Sequence, residues 1–339
     1  MKLAVIPSSD AKDMIPRLVK EGVVNTHAKI SKNGSDRLIP ILDEYVQVMQ
    51  ERGFTLVEGE AHSRARTPPQ ERILKDLSDL PEEVLSDLPM KWEYVGDIVI
   101  IRLEDSAEPY KKRIGEVYAD QLEMQTVCVD RSGVSGEFRR PDIEVIYGSK
   151  TDSIRLENGI RYYFDVTKVM FASGNVDERE RMKNLDCTGE TVVDMFAGIG
   201  YFSLPLAKFS GAKEVISCEK NPESYEFLVK NVELNEVGHI VKPMLGDNRT
   251  IPGERFADRI LMGYVQITSE FIPKALQLIK PNGIIHYHDT FYVNEYEDKI
   301  TQIFDEACGK GGYEILGIRE VKSFAPSVSH YVADIRILH

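Results

Sequence analysis

From Glu190 to the C-terminus, short apolar runs alternate with stretches of helical period, the pattern of a parallel sheet whose strands are joined by helices. Strands are expected at Thr191–Met195, Glu214–Cys218, Val241–Met244, Asp258–Met262, Gly283–His288, Tyr313–Val321 and Tyr331–Ile337. Too little chain separates the last two for a crossover helix, so they should form an antiparallel hairpin. Upstream, Trp92 to Tyr163 is β-rich, with strands at Tyr94–Leu103, Gln125–Val129 and Ile143–Tyr147 and a helix near Pro109–Gln121. The N-terminal pattern is a small α/β unit: strand Leu3–Ile6, helix Ala11–Glu21, an Asn33-Gly34 turn, and strand Arg37–Ile41. The expected organisation is a small α/β domain at 1–55, a Pro- and charge-rich linker with one short helix at 56–90, a β-rich middle domain at 91–170 and a doubly wound α/β domain at 171–339. A length of 339 residues accommodates such a division.

The net charge of −13 argues against whole-surface attraction to RNA and leaves only local basic clusters for that role. These are Lys111-Lys112-Arg113, Arg139-Arg140, and Arg179 with Arg181 and Lys183. Arg139-Arg140 is favoured, because Gly136-Glu137-Phe138 before it reads as an exposed turn with an aromatic ring for stacking. Cys128, Cys187, Cys218 and Cys308 lie far apart without Cys-x-x-Cys spacing, which fits a reducing cytoplasm and supports neither zinc nor a disulfide framework. No apolar run has the character of a signal peptide or a membrane span. His286 and His288 alternate on one strand and read as core residues, so no metal is expected; Trp92 reads as a core anchor.

The chemistry concentrates at strand ends. Asp194-Met195-Phe196-Ala197-Gly198-Ile199-Gly200 follows the first strand of the C-terminal domain, and its glycines let backbone approach a ligand at a helix N-terminus. Glu219 closes the second strand roughly 20 residues later, where a carboxylate can accept ribose hydroxyls. Asp247-Asn248 closes the third and suits the amino edge of adenine. Ser203 stands where a dinucleotide fingerprint has its third glycine, so a nucleoside without pyrophosphate fits better. With the C-terminal hairpin, these signals define a class I methyltransferase-type Rossmann fold rather than a dehydrogenase domain, and their completeness disfavours a non-catalytic RNA-binding module.

Phe164-Asp165-Val166-Thr167-Lys168-Val169-Met170-Phe171, then Asn175, Glu178-Arg179-Glu180-Arg181 and the Asp194–Gly200 loop, resemble the archaeal and eukaryotic tRNA guanosine N1-methyltransferases and their wybutosine-synthesis relatives. The likeness covers nearly the whole chain, including Trp92-Glu93-Tyr94-Val95-Gly96-Asp97-Ile98. Where the methyltransferases carry Asn-Leu-Pro or Asn-Pro-Pro-Tyr after the fourth strand, this chain has Met262-Gly263-Tyr264-Val265, and where they carry Ser-Pro-Arg it has Ser173-Gly174-Asn175. Both departures are similar to the archaeal wybutosine branch. That resemblance implies transfer of the 3-amino-3-carboxypropyl group of S-adenosylmethionine to carbon 7 of 4-demethylwyosine beside the anticodon of tRNA-Phe, with release of methylthioadenosine; the guanosine N1-methyltransferase is the alternative. It implies cofactor contacts at Ala172, Arg179, Glu219, Asp247 and Asn248, beside Phe196, Gly198 and Gly200 of the loop. Arg179 suits the methionine carboxylate, and Ala172, where the family often has Ser, can contribute only backbone. The tRNA side is expected at Arg139, Arg140, Asn175, Gly263 and Tyr264, with Gly263 leaving room for a bulky base. No general base is singled out among Asp165, Asp177 and Tyr264.

Overall fold

In the computed structural model, which describes residues 1–60, 67–135 and 140–339, the chain divides into two units, Met1–Lys75 and Asp76–His339. The first contains β1 (Lys2–Pro7), α1 (Ala11–Lys20), β2 (Ser31–Asn33), β3 (Asp36–Pro40), α2 (Val46–Glu51) and β4 (Leu56–Glu58), with α3 (Pro69–Asp76) at its boundary. Its antiparallel sheet runs β2-β3-β1-β4. Ala4, Ile6 and Ile39 pack with Leu18 and Met49 to form its core. The β2–β3 turn falls at Asn33-Gly34, as the sequence predicts, with Gly34 at φ +59°. The expected linker is more structured than its composition suggested: among its described residues, β4, α3 and α4 (Glu82–Ser86) lie within 56–90, a strand and two helices where one short helix was expected.

The second unit holds both the β-rich segment and the doubly wound sheet. Its first sheet, ordered β5-β6-β7-β8, comprises β5 (Glu93–Val95), β6 (Ile98–Ile101), β7 (Thr126–Ser135) and β8 (Arg140–Tyr147). β6 and β7 are parallel, and α5 (Lys111–Leu122) lies in the connection between them. The single strand expected at Tyr94–Leu103 is instead a hairpin, because Gly96 adopts φ +57° and turns the chain between Val95 and Ile98. A separate two-stranded hairpin follows, β9 (Asp152–Glu157) and β10 (Ile160–Asp165), turned by Asn158 at φ +50° and Gly159 at φ +83°. Asn-Gly with both residues in the left-handed region matches the twist of the strands it joins.

The remaining elements are α6 (Val176–Asn184), β11 (Thr191–Asp194), α7 (Ser203–Phe209), β12 (Glu214–Glu219), α8 (Pro222–Leu234), β13 (Val241–Leu245), β14 (Ala257–Met262), α9 (Ile272–Leu278), β15 (Ile279–Tyr292), α10 (Tyr296–Cys308), β16 (Tyr313–Ala325) and β17 (Val328–Ile337). They form one sheet ordered β13-β12-β11-β14-β15-β17-β16, parallel from β13 to β15. β17 is antiparallel to both neighbours, so the expected terminal hairpin is present and longer than its apolar runs indicated. The apolar character of β11 and β14 follows from burial on both faces: Val192, Val193, Ile260 and Leu261 are inaccessible. Pro222 begins α8, whose cap is the Asn221 side chain accepting from the Glu223 N–H at 3.0 Å. From α8, Asn231 accepts the Tyr163 N–H at 2.7 Å, while Asn235 accepts the Arg161 N–H and donates to its carbonyl at 2.9 and 2.7 Å. These side chains satisfy one edge of β10 and fix the hairpin to the Rossmann core.

Candidate active site

The strand order reverses at β11, and the carboxyl ends of β11 to β14 border a cleft of about 320 Å³. At the end of β11, Asp194 is fully buried, accepting from Ser203 Oγ at 2.7 Å and the Phe196 N–H at 3.2 Å. Burial pushes its carboxyl up to about 6. Ser203, the residue in place of a third glycine, therefore anchors the loop from within, and Ser217 donates to it in turn at 2.8 Å.

Glu219 closes β12 with each carboxylate oxygen already accepting a backbone N–H, from Gly198 and from Asn221, both at 2.7 Å. Burial raises its pKa, and these two bonds orient it while leaving each oxygen further lone pairs toward the cleft. Beyond β13, Asp247 caps the Arg249 N–H at 3.0 Å and pairs with the Arg249 guanidinium at 2.6 Å and with Lys220 at 3.5 Å. The hydrogen bonds from Arg249 hold its carboxyl far below the ordinary range. Asn248 is buried and donates to the Met195 carbonyl at 3.0 Å, but its Oδ1 has no partner. Phe196 stacks on Tyr264 (centroids 5.1 Å apart) and meets Phe271 edge-on, giving the cleft an apolar side.

Across the cleft stand Ala172, Asn175 and Arg179. Arg179 is only 2% exposed, which excludes the ordinary alternative of a helix-surface salt bridge. Its Nε donates to Glu157 and its Nη1 to the Ala172 carbonyl, while its Nη2 is buried without a partner, as is Asn175 Oδ1. Buried polar atoms are nearly always hydrogen-bonded, and three residues lining one cavity each keep an unmatched one.

A second cavity of about 300 Å³ adjoins the first, and Val169, Met170, Ala172, Asn175 and Gly263 line both. Arg102, Asp130, Phe324 and His330 belong to the second alone.

The structure gathers most of the expected site into this region, with corrections. Gly198 lines the cleft, but Gly200 does not; it sits at φ +100°, where a Cβ would lie 2.7 Å from Leu204, so its role is helix packing. Gly263 lines the cleft without creating free space, because Phe202 occupies it: a Cβ would meet that ring at 2.8 Å. Arg140 stands outside both cavities, 64% exposed and paired with Glu223 at 2.6 Å. Arg139 and the Gly136-Glu137-Phe138 turn lie outside the described residues. The other basic clusters are largely engaged: Lys111 with Glu108 and Glu144, Arg181 with Glu178 and Asp334, Lys183 over the Phe209 ring. Of the three candidate bases only Tyr264 lines the cleft. His286 and His288 are buried, bonded to Asp334 and His330, and among the described residues no group of His, Cys, Asp and Glu is arranged to hold a metal. Trp92 is partly buried, with its ring edge-on to Tyr118. Sequence reasoning missed Phe271 and Ile267 on the cleft wall, as well as Glu157 behind it; none carries a spacing signal.

Strand order and cleft define a class I methyltransferase-type Rossmann protein. Residues 153–316 match the TRM5/TYW2 methyltransferase domain and residues 71–151 the TYW2 N-terminal domain. The chain is 46% identical over 269 residues to the tRNA(Phe) (4-demethylwyosine(37)-C(7)) aminocarboxypropyltransferase of Pyrococcus horikoshii, covering 78% of this chain and 96% of that protein. It is 33% identical to the tRNA (guanine(37)-N(1))-methyltransferase Trm5b of Pyrococcus abyssi, with 99% of each covered. The crystal structure of P. horikoshii TYW2 in complex with MeSAdo superposes with a TM-score of 0.72 at 44% identity, covering 79% of this chain and 99% of that one. The chain belongs to the TRM5/TYW2 family. Residues 1–70 lie outside both matched domains. No helix among the described residues is long and apolar enough to cross a membrane.

Proposed function

We propose that this protein is a cytoplasmic transferase that moves the 3-amino-3-carboxypropyl group of S-adenosylmethionine to carbon 7 of 4-demethylwyosine, beside the anticodon of tRNA-Phe, and releases methylthioadenosine. The observation that carries this reading is the set of three unmatched buried atoms, Asn248 Oδ1, Arg179 Nη2 and Asn175 Oδ1, around one cleft. They suit, respectively, the adenine amino group, the methionine carboxylate and an N–H of the acceptor base. Glu219 accepts the ribose hydroxyls with its remaining lone pairs, and Phe196, Ile267 and Phe271 give the nucleoside an apolar wall. Bound there, the donor supplies a sulfonium whose reacting carbon is the one held in line with the nucleophile. Arg179 and Asn175 decide that alignment by holding the tail and the acceptor in adjoining spaces.

The second cavity receives the acceptor base, with Gly263 and Asn175 at its junction with the first and Tyr264 on the wall of the first. On the RNA side, exposed Arg140 exchanges its half-buried Glu223 partner for a phosphate, an exchange that gives up only about 0–1 kcal/mol. The alternative, methyl transfer to guanosine N1, is favoured by one observation, the end-to-end match to Trm5b. Incubation of undermodified tRNA with donor labelled separately in its methyl and carboxyl carbons tests the choice. Carboxyl label on tRNA and methylthioadenosine in solution are expected; methyl label on tRNA with S-adenosylhomocysteine overturns it.

A further inference from the structure

The guanidinium of Arg179 is held from three directions. Glu157 accepts from Nε, the Ala172 carbonyl accepts from Nη1 at 2.9 Å, and the Phe171 ring lies 4.5 Å from Cζ. Nη2 alone lacks a partner. Glu157 is 9% exposed and also accepts from Arg155, whose Cζ lies 4.7 Å from the same ring. Glu157 is the last residue of β9, before the Asn158-Gly159 turn, and the hairpin is tied to α8 through Asn231 and Asn235. A continuous set of contacts therefore runs from the Rossmann core through β10 and β9 to the guanidinium whose Nη2 is unpartnered.

We propose that Glu157 is a positioning residue that fixes Arg179 so that Nη2 receives the carboxylate of the donor's amino-acid tail, and thereby selects which sulfonium carbon faces the acceptor. This rests on the function proposed above. A buried ion pair by itself says little about stability, because apolar replacements of similar volume are often as stable. What the pair supplies here is direction. A planar guanidinium pinned at Nε and Nη1 presents Nη2 along one line, whereas an unpinned one turns about its side-chain bonds. In the productive step the bond between sulfur and the tail carbon breaks, its electron pair stays on sulfur, the acceptor carbon bonds to the tail carbon, and the acceptor's proton passes to solvent. In the competing step the sulfur–methyl bond breaks instead. Glu157 acts before either, on alignment.

Methylthioadenosine lacks the tail and S-adenosylmethionine has it, so the two ligands separate tail positioning from general damage. Calorimetric titration of the intact protein and its Glu157→Gln and Glu157→Asp variants with each ligand is the test. Glu157→Gln is expected to weaken S-adenosylmethionine by roughly tenfold, the scale of one charge-assisted bond, and to leave methylthioadenosine within about twofold. Glu157→Asp, which keeps the charge, should recover part of the loss. In single turnovers on tRNA, Glu157→Gln should raise the ratio of S-adenosylhomocysteine to methylthioadenosine. Equal losses for both ligands, or unchanged S-adenosylmethionine binding, overturns the positioning role. A wild-type protein that binds neither ligand removes the underlying function as well.

Discussion

On the nucleoside side of the cleft, Glu219 and Asn248 stand at or just beyond the ends of strands in the central sheet, and backbone groups of the neighbouring loop hold them. On the tail side, Arg179 projects from α6 and is set by Glu157, a residue of a hairpin that belongs to no larger sheet. The first side comes with the Rossmann framework and would serve any adenosyl compound. The second is an addition, and the proposed function sets it against the part of the donor that distinguishes one transfer from another. The proposed function thus assigns recognition of the nucleoside and choice of reaction to different structural elements, a separation that can be attacked experimentally.

The largest effect is expected from Arg179→Ala, which removes the tail partner and leaves the Glu157 carboxylate with Arg155 alone. Truncating one partner of a buried, hydrogen-bonded charge pair between protein and ligand costs roughly 2–5 kcal/mol of binding, so kcat/KM for S-adenosylmethionine in single-turnover assays should fall about a thousandfold. Methylthioadenosine affinity should stay within about threefold; if it falls equally, the two sides are not separable.

Next comes Asp194, beneath the nucleoside side, whose pKa burial raises from 3.8 to about 6. An acid with a raised folded-state value contributes stability that is fully present below its unfolded value and is lost as pH rises through the folded one. Asp194→Asn should abolish that loss. Chemical denaturation from pH 4 to pH 7 should show the variant gaining on wild type by up to roughly 3 kcal/mol, and parallel curves would refute the assignment.

Glu219→Gln comes third. An amide N–H would face one of two backbone N–H donors, so both ligands should weaken together by roughly 10–30-fold, measured by calorimetry. Asn248→Ala should produce the smallest change, about fivefold and again shared by both ligands; a loss confined to S-adenosylmethionine would move Asn248 to the tail side.

The same division governs what the sequence disclosed. Glu219 was legible because its distance from Gly198 follows from the length of one helix and one strand, and the terminal hairpin because a short connection excludes a crossover. Local turns were harder. Gly96-Asp97 hid inside what looked like one long strand, and Asn158-Gly159, a strong hairpin signal, passed unremarked, which left Glu157 without a context. Gly200 shows why a glycine motif misleads: a positive φ and a close leucine require it whether or not a ligand is near. Arg140 met a carboxylate from α8, a residue 83 positions away that no spacing rule connects to it.

The approach of Phe202 to Gly263 couples the two positions mechanically. That ring also stacks on His288, with centroids 5.5 Å apart, so it has a buried neighbour to displace before it can retreat. A side chain introduced at 263 would collide unless the aromatic shrank or moved with it. The two positions act as one packing unit, and the wall they share is reshaped by paired substitutions rather than a lone replacement.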